Sequence, residues 1–291
     1  MIQRKTLKDL NLLDRFLFAE AMSDPENMKN VLEIILGEEI VLAHLPQSEK
    51  EQATTPAYRG IRLDVWGQDT NGRVYDAETQ KRNTYNLPKR SRYYQGTIDS
   101  RLLEPGVIDF NQINDVFIIM ITPFDLFGED RYVYTFDMRC REDPELTLND
   151  GAVRIFLNCH GKNKDEVRPE LVELLRYMEN STDQVADQCS SEKVRQIHKN
   201  IQKIRSSEEV SVRYMQAWEE KILEQQEART KGHSEGLAEG LAEGLATGLA
   251  EGRQEISRMI QFLIQNGRED EIQQAVSDPD FQERLLKELK S

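Results

Sequence analysis

The chain has 291 residues, with 52 Asp and Glu against 38 Lys and Arg, a formal net charge of -14 and 38% hydrophobic residues. That length supports one substantial core plus an appendage and excludes a small disulfide-stapled peptide. A net acidic chain repels polyanions at long range, so any engagement of nucleic acid has to come from a local basic surface.

The longest strongly apolar run, Val116 to Ile121 (VFIIMI), falls far short of the roughly 20 residues a membrane-spanning helix needs. The start, MIQRKTLKDL, has no apolar signal-peptide core. A cytoplasmic protein with no membrane partner is expected. Cys140, Cys159 and Cys189 are widely spaced and form no CxxC pair, so they are expected to be reduced thiols and not a disulfide framework or a zinc cage.

Apolar residues from Leu7 to Leu36 recur at helical spacing: Leu12, Leu13, Phe16 and Leu17, then Met28, Val31, Leu32 and Ile35. Ser23, Asp24 and Pro25 supply a cap and first turn for a second helix that Gly37 ends. Between Arg59 and Gln80 the pattern becomes alternating. Ile61, Leu63 and Val65 interleave with Arg62, Asp64 and Trp66, and a second extended stretch runs from Val74 to Gln80. Asp69, Thr70, Asn71 and Gly72 join the two as a hairpin turn.

Pro88 opens a helical stretch, KRSRYYQGTIDSRLL, closed by Pro105 and Gly106. Three further extended segments follow, at 115–121, 132–138 and 153–158, then helices from about Val167. The order predicts an α/β or α+β core. After Ser206 the chain is charged and helix-prone. Residues 235–252 read EGLAEGLAEGLATGLAEG, a tandem tetrapeptide whose one departure is Thr247. Its glycines, Gly236, Gly240, Gly244, Gly248 and Gly252, each cost about 1 kcal/mol relative to Ala in a helix. The repeat is therefore either a spacer of marginal helicity or an assembly element that a partner stabilises. Amphipathic helices resume from Glu255 to Leu289, broken at Asn266-Gly267 and Asp278-Pro279. The expected division is 1–205 for the main domain, 206–231 for a charged helical linker, 232–252 for the repeat and 253–291 for a small helical tail.

The hairpin carries the most specific chemistry. On a strand from Val74 to Gln80, Asp76, Glu78 and Gln80 share one face while Lys81 is aimed at the other. Positions 64 and 78 are equidistant from 71, so a turn centred there sets Asp64 opposite Glu78, with cross-strand neighbours about 5 Å apart. Two carboxylates so placed can hold one hard cation, and Mg²⁺ suits them because it prefers oxygen and keeps several waters. Such an ion can generate a hydroxide nucleophile beside a phosphate. The ordinary alternative is a pair of solvated surface carboxylates.

Downstream, residues 81–101 carry Lys81, Arg82, Lys89, Arg90, Arg92 and Arg101 against Asp99 alone, a local +5. Lys89 and Arg92 share a helix face, and Arg90 neighbours Tyr94 at i to i+4. Such cations position phosphates without reading sequence. Tyr93 and Tyr94 are expected to pack in the core. The four histidines include no HxxxH pair, GxxxxGK[ST] is absent, and the GxSxG string GHSEG at 232–236 sits in a charged, helix-prone stretch with no preceding strand to form a nucleophile elbow. A zinc enzyme, an NTPase and a serine hydrolase are thereby disfavoured.

The ordered set LLDRFLF (Leu12 to Phe18), NMKNVLEIILG, RLDVW (Arg62 to Trp66), YDAETQ (Tyr75 to Gln80), KRSRYY (Lys89 to Tyr94) and VFIIMITPFD closely resembles the recombination-promoting nuclease (Rpn) family of transposase-like proteins, within the PD-(D/E)XK nuclease superfamily. The resemblance spans roughly residues 7 to 180, and the repeat with its helical tail also looks like the C-terminal part of many relatives. It implies a PD-(D/E)XK restriction-endonuclease-like α/β core, a mixed central sheet flanked by helices, with a C-terminal helical and repeat extension.

By the same resemblance Asp64 is the metal-binding aspartate and Glu78 the acidic residue of the (D/E)xK motif. Gln80 stands where the superfamily has lysine, as is common among the nearer relatives. Its neutral amide can orient water or hold a phosphate oxygen but cannot act as a base or bring positive charge. The Thr79 backbone carbonyl is a further metal ligand by analogy, and Asp14 matches an acidic residue of the family's first helix. The implied activity is a Mg²⁺-dependent DNA endonuclease, with Mn²⁺ or Ca²⁺ as substitute ions. DNA is its partner, through Lys89, Arg90 and Arg92, and a recombination or mobile-DNA setting is implied. The competing reading is a nuclease-fold protein of little or no catalysis, acting as a DNA-binding module or as a homo-oligomer joined through the repeat and C-terminal helices.

Overall fold

A computed structural model of the chain describes residues 5–52, 61–103 and 105–289. Arg59, at the expected start of the hairpin, lies outside the described residues, as do the side chains of Ile61, Arg62 and Leu63. The chain divides into two compact units, Met1–Met215 and Gln216–Ser291.

The first unit opens with α1 (Arg15–Met22) and α2 (Pro25–Leu36). Asp14 caps α1 by accepting from the Phe16 N–H, and Asp24 caps α2 by accepting from Glu26 and Asn27 N–H groups, with Pro25 in the first turn. Gly37 ends α2 with φ +82°, a left-handed conformation that suits glycine. Over that end lies the Arg168 guanidinium, whose Nη2 donates to the Ile34 and Ile35 carbonyls at 2.6 and 3.0 Å.

Among the described residues six strands form one mixed sheet in the order β1-β2-β3-β4-β6-β5. They are β1 (Gln47–Gln52), β2 (Ile61–Gln68), β3 (Val74–Thr79), β4 (Val116–Thr122), β5 (Val133–Phe136) and β6 (Ala152–Asn158). β3, β4 and β6 run parallel, whereas β1, β2 and β5 pair antiparallel with their neighbours. Strand β1 is a finding beyond the sequence reading, because QSEKEQ has neither apolar alternation nor β-branched residues to announce it.

Both faces of the central strands are covered, which is why β4 reads as an unbroken apolar run. On one face Val65, Tyr75, Ala77, Ile119, Ile121, Ile155 and Leu157 join the buried residues of α1, α2, α4 (Pro169–Glu179) and α6 (Glu192–Ser206). The short α5 (Asp183–Asp187) lies between α4 and α6 in the chain. On the other face Val74, Val116, Ile118, Met120 and Phe156 pack with Leu87, Tyr94 and Ile98 of α3 (Leu87–Asp99). Alternation along β3 thus sends Tyr75 and Ala77 to the first face and Asp76 and Glu78 to the α3 face.

The helix expected to run to Leu103 stops at Asp99, where Ser100 caps it and the Arg101 N–H turns back to the Ile98 carbonyl. Tyr94 is buried as expected, but Tyr93 is 43% exposed, a correction to its expected core role. The two tyrosines are consecutive, so about 100° of helix rotation separates them and only one can face the sheet.

Helix α7 (Glu208–Gln265) contains the whole tetrapeptide repeat. Within the second unit the repeat leucines, Leu237, Leu241, Leu245 and Leu249, are 56–67% exposed, and a Cβ added at any repeat glycine would meet nothing within 4 Å. The end of α7 packs Met259 and Leu263 against Ala275 of α8 (Ile272–Ser277) and Leu285 of α9 (Pro279–Leu289). Among the described residues no helix is long and apolar enough to cross a membrane.

Candidate active site

The β2–β3 hairpin pairs Val65 with Ala77, Trp66 with Asp76, Gly67 with Tyr75 and Gln68 with Val74. Each pair sums to the same total, so the next position outward sets Asp64 opposite Glu78. Gly72 takes φ +83° in the turn, and Asp69 Oδ1 accepts from the Asn71 and Arg73 N–H groups at 2.9 Å. The turn thereby fixes the register that places the two acids.

At Asp64 and Glu78 the side chains take over from the backbone ladder. The Asp64 N–H donates to Glu78 Oε1 at 3.2 Å, and the Thr79 N–H donates to Asp64 Oδ2 at 3.4 Å. Each carboxylate is thus held by a backbone donor of the opposite strand. Both are buried, Asp64 at 1% exposure and Glu78 at 0%.

Two arginines lie over them. Arg15, the first residue of α1, brings Nε to 2.5 Å from Asp64 Oδ1 as a charge pair without aligned hydrogen-bond geometry. Arg90 of α3 donates from Nη2 to Glu78 Oε2 at 3.0 Å, from Nη1 to Gln80 Oε1 at 3.1 Å and from Nε to the Tyr94 hydroxyl at 2.8 Å. Gln80 completes the set by donating from Nε2 to Glu78 Oε2 at 3.2 Å. Asp76 sits deeper, fully buried, and neither of its oxygens has a hydrogen-bond partner among the described residues.

Three carboxylates against two guanidiniums leave the cluster short of positive charge. Burial, reinforced by the Asp64 charge, pushes Glu78 up to about 8. Burial also raises Asp64, although Arg15 opposes it, and burial with the Glu78 and Asp64 charges raises Asp76 well above the usual carboxylate range. The chemistry of this donor set, two buried carboxylates on facing strands with a third beside them and only two guanidiniums in compensation, fits a hard divalent cation. Among the described residues no group of three or more His, Cys, Asp or Glu side chains stands together as a metal cage, so such an ion would draw its other ligands from water and backbone oxygen.

The sequence-derived candidates distribute as follows. Asp64, Glu78 and Gln80 come together. Lys81, beyond the end of β3, pairs its Nζ with Asp14 Oδ2 at 3.1 Å, so Asp14 serves as both helix cap and ion-pair partner. Lys89 and Arg92 are exposed on the outer face of α3, whereas Arg90 turns inward to Glu78. Arg15 and the burial of Asp76 were not anticipated. The only local signal for Arg15 was its place directly after Asp14 in LLDRFLF.

Residues 15–231 match the family model described as PD-(D/E)XK nuclease family transposase. No curated protein and no solved structure matches the chain.

Proposed function

The chain belongs to the PD-(D/E)XK nuclease family transposases, and from that premise we propose that it is a metal-dependent DNA endonuclease. The observation that carries the reading is the buried pair Asp64 and Glu78, aligned across a hairpin and short of positive charge. Asp64 and Glu78 would hold Mg²⁺, with the Thr79 carbonyl as a further oxygen ligand. Mn²⁺ or Ca²⁺ could stand in for it. When bound, the ion would supply Lewis-acid charge and lower the pKa of its bound water towards neutrality.

The protein's own groups do the rest. Glu78 and Asp64 are each held by a backbone donor of the facing strand, and a cation would bind by displacing Arg15 from Asp64 and the proton from Glu78. Gln80 spends one N–H on Glu78 and its carbonyl on Arg90, which leaves an amide N–H to orient the attacking water. Lys89 and Arg92 face outward on α3, where they engage backbone phosphates without sequence readout. Asp14 acts at the rim by holding Lys81. Such cleavage would serve the movement or recombination of DNA, a reading supported by the family's description as transposases.

Incubation of supercoiled plasmid with purified protein and Mg²⁺, Mn²⁺ or Ca²⁺ is the direct test. Nicking that EDTA abolishes, and that Glu78→Ala loses with folding intact, supports the reading. Cleavage unchanged in Glu78→Ala refutes the site. DNA binding without any cleavage would leave a nuclease-fold binding protein.

A further inference from the structure

We propose that Arg90 is the cation of the catalytic centre and fills the role left open at Gln80, making it a catalytic residue that contacts the phosphate under attack. This rests on the nuclease reading but deepens it, because Arg90 is thereby separated from the outer phosphate-binding face of Lys89 and Arg92.

In-line attack on a phosphodiester gathers negative charge on the non-bridging oxygens, and fixed cations aimed at that charge supply much of the stabilisation. The PD-(D/E)XK motif places a lysine two residues after its acid, but here that position is Gln80, which brings no charge. The structure supplies one from another element. The Arg90 guanidinium bonds both Gln80 Oε1 and Glu78 Oε2, so it occupies the space directly beside the motif's third residue.

Its plane is fixed on the opposite edge. Nε donates to the Tyr94 hydroxyl, and Cζ lies 5.0 Å from the Tyr94 ring centroid, a cation–π contact one helical turn along α3. These bonds use three of the five guanidinium donors, one on each nitrogen. The two that remain, one on each Nη, have no partner among the described residues, and the side chain is 30% exposed. A preorganised guanidinium with two spare donors and an open edge is suited to a phosphate. In this arrangement Gln80 is a positioning residue: its carbonyl aims the guanidinium, and a lysine at the same place would repel it.

The test uses the full-length chain and four proteins: wild type, Arg90→Gln, Arg90→Lys and the double variant Arg90→Gln with Gln80→Lys. Binding of a short fluorescein-labelled duplex in Ca²⁺ is followed by anisotropy across a salt series, Ca²⁺ affinity by calorimetry, and turnover in Mg²⁺ on plasmid. Arg90→Gln is expected to lower the slope of log affinity against log salt by about 0.9, one phosphate contact. Its turnover is expected to fall roughly 100- to 1,000-fold, as when one transition-state donor is lost. Arg90→Lys keeps the slope, and adding Gln80→Lys to Arg90→Gln restores the slope and at least about tenfold in rate.

An unchanged salt slope in Arg90→Gln overturns the proposal whatever turnover does, and a weakened Ca²⁺ affinity with it would show that the guanidinium only holds Glu78 in place. Loss of rate that Gln80→Lys fails to relieve also counts against it. A wild type that never cleaves refutes the nuclease reading, while the salt slope still decides whether Arg90 meets a phosphate.

Discussion

Replacing Glu78 with Gln should change how stability depends on pH. In the unfolded chain Glu78 titrates near 4.5, whereas burial beside Asp64 pushes it up to about 8 in the folded protein. Between those values the folded state keeps a proton that the unfolded state has released. The contribution is therefore fully present below pH 4.5 and is lost as pH rises towards 8. One differential proton corresponds to at most about 1.4 kcal/mol per pH unit. Other carboxylates also titrate at the acid end of the window, so the informative quantity is the difference between wild type and Glu78→Gln. Between two pH values about two units apart inside the window, that difference should change by roughly 2–3 kcal/mol. Urea unfolding of both proteins in EDTA measures it. Saturating Ca²⁺ should flatten the wild-type slope, because binding requires the ionised carboxylate. Parallel pH profiles for the two proteins in EDTA would refute the reasoning, since Arg90 alone would then be keeping Glu78 ionised.

Arg15→Ala should tighten Ca²⁺ binding by roughly tenfold, about 1.4 kcal/mol of relieved competition at Asp64, and calorimetry reads it directly. Asn200→Ala should cost about 1–3 kcal/mol in urea unfolding. Asn200 Nδ2 donates to the buried Asn27 Oδ1 at 3.0 Å, and the substitution leaves that acceptor unpaired. Gly37→Ala should cost at least about 1–2 kcal/mol for the left-handed backbone. Its Cβ would also stand 2.7 Å from Arg168 Cζ and displace the guanidinium that caps α2, an effect seen in the thermal midpoint. Gly244→Ala meets open space and should favour the helix by about 0.8–1 kcal/mol, read as greater ellipticity at the helical minimum on warming.

The hairpin was legible because its determinants are local. Asn71-Gly72 marks the turn, alternation marks the faces, and together they set Asp64 against Glu78. Helix α2 was legible for the same reason, through Asp24, Pro25 and Gly37. What escaped depends on residues far apart in the chain. Strand β1 is held by pairing with β2 and has no pattern of its own. Arg15 meets Asp64 across some fifty positions, a separation that no local spacing encodes. The burial of Asp76 comes from α3 packing over its strand face, which no local pattern around residue 76 announces. Arg90 read as one more surface cation, because a basic run does not say which member faces the sheet. That follows from Tyr94 and Ile98, one and two turns along the same helix, being the buried anchors.

Helix α3 resolves the tension between an acidic chain and a polyanionic substrate. Its buried residues, Leu87, Ser91, Tyr94 and Ile98, fasten it over the β3–β4 face, so the orientation of every other residue on it is set by core packing. Position 90 falls on the edge of that face and delivers its charge inward to Glu78. Positions 89 and 92 fall outside and carry theirs to solvent. The two arginines over the acids differ in the same structural terms. Arg90 is tied to Tyr94, Gln80 and Glu78, whereas Arg15 is 46% exposed and its one described polar contact is the charge pair with Asp64. In the proposed site a cation would replace the charge of Arg15 by breaking that single contact, whereas displacing Arg90 would break three. The asymmetry leaves Asp64 the less tightly paired of the two acids and keeps the second guanidinium in place beside Glu78.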